Sequence, residues 1–337
     1  MKYLSILLVL FVSFISCNEE QKKDIAALEN TKLSGPVFGT SFNVVYDSEV
    51  NYIQQIDSLF AVVNQSMSTY IPDSDISKLN RNEAVVVDSH FKTVLDKSFE
   101  VYNNTNGVFD PTIGAVVNAW DFGPEGKIVG LDSIKINQLM KFVGLNNVFP
   151  VNDGEGLKVT KSDSTFLDFN AIAKGYGVDV IGEYLESKGV ENYLVEIGGE
   201  IRCKGKNIER NNSWNVGLDR PRFDGIQDQN PLRAIRLENE SMATSGTYRK
   251  FKIDDNGNRY THIINTKTGY PSKTNILSIS VITEDCMTAD AYATAFQAMG
   301  IEKVTEFLKS HPELKVFLVF ENDTNEFETL NLNNFPE

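Results

Sequence analysis

Histidine and cysteine are scarce, with three of each in 337 residues. No CxxC and no Cys/His cluster occurs, which argues against a structural zinc site. No Walker A sequence and no GxSxG is present, and Gly198-Gly199 leads into a strand, not into the helix that a GxGxxG fingerprint requires. Basic residues are outnumbered, 32 against 46 acidic, and the net charge of −14 argues against a nucleic-acid partner. That balance does not bar a small phosphate ligand, which a metal ion and a few local donors can meet. Beyond the N-terminus no run of 18 apolar residues occurs, so no internal membrane span is expected. After residue 33 there is neither an internal repeat nor a low-complexity linker. What is present is the composition of an ordinary globular chain, 41% hydrophobic and 23% charged. It is long enough for one large domain or two packed subdomains.

The N-terminus reads as an export signal. Lys2 precedes an apolar run from Leu4 to Ile15, and Ser16-Cys17 follows. Phe14-Ile15-Ser16-Cys17 resembles a bacterial lipobox, in which the cysteine is lipidated and becomes the mature N-terminus. The expectation is a signal peptide over 1–16, a lipid-anchored tether over 17–33 with lipidation at Cys17, and one domain over 34–337. The protein would then be exported and held on a bacterial membrane, facing the periplasm or the cell exterior. Cys203 and Cys286 would pair if they met in an oxidising compartment; two unrelated buried thiols are the preferred reading.

Periodicity gives a coarse map. Residues 37–46 read as a strand, 51–66 as an amphipathic helix, 91–104 as a helix stopped by Gly107, and 132–143 as a further helix. A turn-rich loop covers 69–75, and 109–124 reads as a loop around a short helix. Residues 166–169 read as a strand feeding a helix over 171–188, capped by Asp168 or Asn170. Strands are expected at 193–197, 201–204, 214–219, 232–237, 241–251, 262–265, 276–282 and 315–320, with helices at 287–299 and 301–310. The mixture predicts an α+β fold with mostly antiparallel sheets and packed helices.

Four groups of residues suit chemistry. Asp290 and Thr294 lie four apart on a predicted helix, so both oxygens face one side and suit a hard cation such as Mg²⁺. The plainer alternative is a dipole-favoured Asp and a Thr bonded back to its own helix. Asp168 and Lys174 flank the predicted helix start, a natural anion site, although taken alone a plain N-cap and a solvent-facing Lys are the simpler reading. Gly198-Gly199 allows a close backbone approach to a ligand or a tight turn. His262 sits before a Gly-Pro turn and suits a general base near neutral pH, or a core histidine satisfied by a neighbour.

Taken together, eight segments in one order resemble the ApbE family of FAD:protein FMN transferases: FGTSFNV, MSTYIPDSDISKLN, FDPTIGAVVNAWDFGP, LDFNAIAKGYGVD, YLVEIGGEIRCKG, ATSGTYRK, HIINTKTGYP and TADAYATA. The resemblance spans Phe38 to about Gly300 and implies an ApbE-like, T-fold-like architecture. It implies that Asp290, Thr294 and the Ala171 carbonyl hold Mg²⁺, and that Asp168 and Lys174 contact FAD. It places Tyr70 and Ala119-Trp120-Asp121 in the flavin wall, Phe38 where relatives often carry Met, Ile264 at a backbone contact to FAD, and His262 as base. One departure stands out: Asn265-Thr266 replaces the Asp-Pro common in the family. An Asp that is only structural is well replaced by Asn; one whose charge tunes His262 is not.

The implied reaction uses FAD as substrate and Mg²⁺ as cofactor. A Ser or Thr hydroxyl of an acceptor flavoprotein, in the family a subunit of a membrane redox pump, attacks the FMN-side phosphorus and AMP leaves. Two other readings stay open at this stage: an FAD pyrophosphatase, in which water replaces the hydroxyl, and a non-catalytic FAD-binding lipoprotein.

Overall fold

The computed structural model describes residues 29–152, 154–222, 231–248, 250–253, 259–324 and 326–337. The expected signal peptide, the lipidation site Cys17 and most of the expected tether lie outside the described residues. The chain opens with β1 (Thr31–Val37), β2 (Thr40–Tyr46), α1 (Ile53–Met67), α2 (Asp75–Asn80), α3 (Ser89–Asn104), α4 (Gly114–Ala119) and α5 (Ser133–Met140). It continues with β3 (Phe149–Asn152), β4 (Leu157–Thr160), α6 (Ala173–Ser187), β5 (Tyr193–Ile197), β6 (Glu200–Lys204), β7 (Trp214–Leu218), β8 (Arg233–Leu237) and β9 (Ser241–Gly246). The last third holds β10 (Phe251–Ile253), β11 (Arg259–Thr261), β12 (Ile276–Thr283), α7 (Cys286–Met299), α8 (Ile301–Leu308), β13 (Lys315–Glu321) and β14 (Phe327–Leu332).

Eight strands form one antiparallel sheet in the order β1-β2-β5-β6-β9-β12-β13-β14. Alternation with a period of two sorts its side chains. Val44, Tyr46, Val195, Ile197, Ile279, Val281, Val316 and Leu318 join the cores under the helices. Their neighbours Ile201, Cys203, Met242, Ile282, Phe317 and Val319 point the other way and pack on Trp214, Val216, Ile235 and Leu237 of the β7–β8 hairpin. Both faces are covered, so β12 is buried along its whole length. The α+β expectation holds.

The helix layer is built around α7. Ala289, Ala291, Ala293 and Ala295 are all buried, and small side chains let α6 and the sheet approach from different sides. Asp285 caps α7 by accepting the Thr288 N–H at 2.8 Å.

Several boundaries differ from the sequence reading. Residues 37–46 are the turn and second strand of a hairpin, with Phe38 and Gly39 both at positive φ as a two-residue loop demands. Residues 31–33, assigned to the tether, belong to β1. Residues 166–169 are extended but make one isolated bridge, Phe166 to Ile113, and are also held by Asn80 and by the Asp168 N–H donated to the Pro111 carbonyl. The helix after them starts at Ala173, without a side-chain cap; Asp168 accepts the Asn170 N–H at 2.8 Å and closes a turn instead. The expected strand 241–251 ends at Gly246, and 262–265 contributes only the Ile264–Pro271 bridge. The short or polar elements α2, β3, β4 and β14 carry too little apolar periodicity to be read from sequence. Cys203 and Cys286 are free thiols, and they belong to cores on opposite faces of the sheet.

Leu318 is fully buried between β12 and the helix layer. Leu318→Ala should therefore cost about 2–5 kcal/mol, read as a lowered midpoint in denaturant unfolding.

Candidate active site

A cleft of about 1200 Å³ opens where the β5–β6 turn, the start of α6 and one face of α7 meet. Gly198 and Gly199, both at positive φ, form that turn, and Gly199 donates its N–H to the Glu196 carboxylate at 2.7 Å. Of the two sequence readings of this pair, the tight turn is observed, and the turn also lines the cleft.

The α6–α7 contact builds an oxygen-rich corner. A Cβ on Gly175 would come within 2.3 Å of the Cys286 carbonyl oxygen, so only glycine lets the helices meet here. At that contact Gly175 donates its N–H to Asp290 Oδ2 at 3.0 Å. Gly175 is the third residue of α6, so this N–H has no acceptor within its own helix. The Ala171 carbonyl lies ahead of the helix, and no backbone N–H of a described residue donates to it. Thr294 behaves similarly. The hydroxyls of Ser98, Thr105 and Thr305 bond back to the carbonyl four residues earlier, whereas the Thr294 hydroxyl makes no hydrogen bond to any described residue, and Thr294 lines the cleft with Asp290. A carboxylate with one oxygen engaged, together with a hydroxyl and a carbonyl without internal partners, suits a hard cation with oxygen ligands.

Asp179 fixes the register of this corner. It is 4% exposed and accepts the N–H groups of Cys286 and Met287 at 3.0 and 2.8 Å. Arg202 of β6 donates to it at 2.9 Å. Burial pushes the Asp179 carboxyl up to about 6 against the pull of those donors and of Arg202. One carboxylate thus ties α6, the start of α7 and the sheet together.

Lys174 and Glu200 face each other in the cleft, Nζ to Oε1 at 2.7 Å. Glu200 is 3% exposed. Burial raises its carboxyl to about 7, with Lys174 opposing and Asp290 adding to the shift. Burial also raises Asp290. For Lys174 burial pulls downward, but Glu200 and Asp290 hold the ammonium above its ordinary value. Sequence reading identified Lys174 and missed Glu200; a Glu opening a strand after Gly-Gly carries no signal until the sheet places it opposite a lysine.

His262 lies on the cleft wall with Nδ1 3.0 Å from the Lys250 carbonyl oxygen. A carbonyl only accepts, so Nδ1 carries the proton and Nε2 presents its lone pair. Burial lowers the imidazole to about 4, partly offset by that carbonyl, and the charges of Lys250 and Lys174 push the same way as burial. The ring is therefore neutral at pH 7. Asn265 serves the turn that follows: its side-chain oxygen accepts the N–H groups of Lys267 and Thr268 at 2.9 and 3.1 Å. That acceptor role needs no negative charge.

Phe38, Tyr70, Asp168, Ala171 and Ile264 all line the cleft. Tyr70 is 57% exposed, and burial raises the Asp168 carboxyl. Ala119, Trp120 and Asp121 do not line it. Trp120 donates Nε1–H to the Gly269 carbonyl at 2.9 Å and packs on Tyr260, while Asp121 pairs with Lys252. The wall on this side is formed by Val108, Phe109, Asp110, Pro111, Val117 and Phe122, so the FDP portion of that segment reaches the cleft and its AWD portion stands behind it.

Gly175→Ala should force α6 away from α7. The overpacking costs about 1–3 kcal/mol, and divalent-cation affinity, read by Mn²⁺ titration, should fall because Asp290 loses its placement.

The ApbE family model matches residues 38–318. An FAD:protein FMN transferase of Vibrio cholerae is 34% identical over 307 residues, covering 88% of this chain and 89% of the relative. One from Haemophilus influenzae is 34% identical over 326 residues, covering 93% and 90%. The solved structure of the flavin transferase ApbE from Vibrio cholerae superposes with a TM-score of 0.79 at 33% identity, covering 90% of this chain and 97% of that one. With matching order, matching fold and a cleft built from the shared segments, the chain belongs to the ApbE family.

Proposed function

We propose that this chain is an FAD:protein FMN transferase that moves FMN from FAD to a Ser or Thr hydroxyl of an acceptor flavoprotein and releases AMP, with Mg²⁺ as cofactor. The observation that carries the reading is one cleft holding a free imidazole nitrogen, a lysine paired with a buried glutamate and an oxygen corner with unused valences. The chemistry asks for all three: a base, a partner for phosphate charge and a cation site.

Asp290, Thr294 and the Ala171 carbonyl would hold Mg²⁺, which when bound supplies charge neutralisation on the diphosphate. Lys174 adds a second positive charge at the same place, and Glu200 keeps that ammonium protonated and oriented. Asp168 offers an acceptor at the cleft wall for a ring or ribose donor. Phe38, Tyr70, Phe109 and Phe122 supply apolar and aromatic surface suited to a flat ring system. His262 Nε2 takes the proton from the acceptor hydroxyl as its oxygen bonds to the FMN-side phosphorus; the bond to the AMP oxygen breaks, and AMP departs. The Nδ1 bond to the Lys250 carbonyl holds the ring in the tautomer that this step needs.

Cys17 is the proposed lipid anchor, which would hold the exported enzyme at a bacterial membrane, and the acceptor is proposed to be a subunit of a membrane redox pump. The acidic chain has no feature suited to nucleic acid.

His262→Ala should lower transfer by about 10²–10⁴-fold while flavin-fluorescence titration shows FAD binding retained; full transfer in that variant removes His262 as base. The acid limb of kcat/KM should fall near pH 4, because His262 is active when deprotonated and its folded-state value is lowered to about 4. An acid limb near pH 6.5 would contradict the desolvated, neutral imidazole.

A further inference from the structure

Glu200 has one engaged oxygen and one idle one. Oε1 accepts from Lys174 at 2.7 Å, while Oε2 is buried and has no hydrogen-bond partner among the described residues. A buried carboxylate oxygen without a partner is costly, and folded proteins rarely leave one. Glu200 lines the same cleft as Asp290 and Thr294, and it lies close enough to Asp290 for the two carboxylates to oppose each other's ionisation.

The cation corner raises a complementary question. It supplies a carboxylate, a hydroxyl and a carbonyl, and no three of His, Cys, Asp and Glu converge among the described residues. A small divalent cation wants about six oxygens and gives up its water reluctantly. A cation held here therefore keeps water, and the water protons need acceptors.

We propose that Glu200 is a positioning residue for the cation site, whose Oε2 accepts hydrogen bonds from the water carried by a divalent cation at Asp290, Thr294 and the Ala171 carbonyl. Its Oε1 holds Lys174 alongside, so one side chain sets the spacing between the cation and the ammonium that face the diphosphate. Partners of this kind orient ligands without touching the metal, and losing one weakens metal binding by about 10–100-fold. The inference rests on the reading of that corner as a cation site.

The test is Mn²⁺ binding to the purified full chain without FAD, read from the loss of the free-Mn²⁺ paramagnetic resonance signal. Glu200→Gln preserves shape and Glu200→Ser leaves room for water, so at least one variant should fold; melting in EDTA checks this. Both should bind Mn²⁺ about ten- to a hundredfold more weakly than the unaltered chain. An affinity within twofold in a folded variant overturns the role of Glu200 and leaves the cation site standing. Failure of the unaltered chain to bind Mn²⁺ overturns the cation site and the inference with it.

Discussion

The hydrogen bond from Gly175 N–H to the Asp290 carboxylate is the contact on which the rest of the site depends. It exists only because two helices approach until a single methyl group would collide with the Cys286 carbonyl. It brings the Asp290 carboxylate to the start of α6 at the cleft. Thr294, one turn further along α7, then falls beside it. A first-turn N–H of α6 that has no acceptor in its own helix is thus a construction feature of the site.

Such closeness needs support, and buried charge supplies it. Asp179 accepts two N–H groups at the start of α7 and is met by Arg202 from the sheet; Arg202 also pairs with Glu186 of α6 at 3.1 Å. Removing one member of such a network leaves an uncompensated buried charge, which is more damaging than never having had the pair. A second pair, Lys174 with the buried Glu200, sits inside the cleft. The first network fixes the position of the helices, and the second shapes the potential that a diphosphate meets.

Much of this was legible in the sequence, for physical reasons. The strands β5, β6, β7, β8, β12 and β13 announce themselves through β-branched alternation, and α1, α3 and α7 through helical spacing. Asp290 and Thr294 are four apart on a helix, so their shared face follows from geometry alone. His262 was legible as a candidate base, but not its tautomer, because the Lys250 carbonyl reaches it across a hairpin. In the segment 109–124 the resemblance implied a flavin wall at Ala119-Trp120-Asp121, whereas the residues of that segment that line the cleft lie on either side of those three, because Trp120 spends its N–H on the Gly269 carbonyl. Glu200 was invisible because its meaning comes from Lys174, 26 residues earlier in the chain. Contacts between distant segments write no local pattern.

The central claim is that one cleft joins FMN from FAD to a protein hydroxyl with the help of a divalent cation. Intact mass of an acceptor flavoprotein subunit bearing a Ser/Thr site, incubated with the chain, FAD and Mg²⁺, tests it most directly. The account predicts a mass gain equal to FMN less water, one AMP released per acceptor modified, and loss of both with EDTA. AMP and free FMN formed while the acceptor mass stays unchanged would contradict it, as would a mass gain that EDTA leaves untouched.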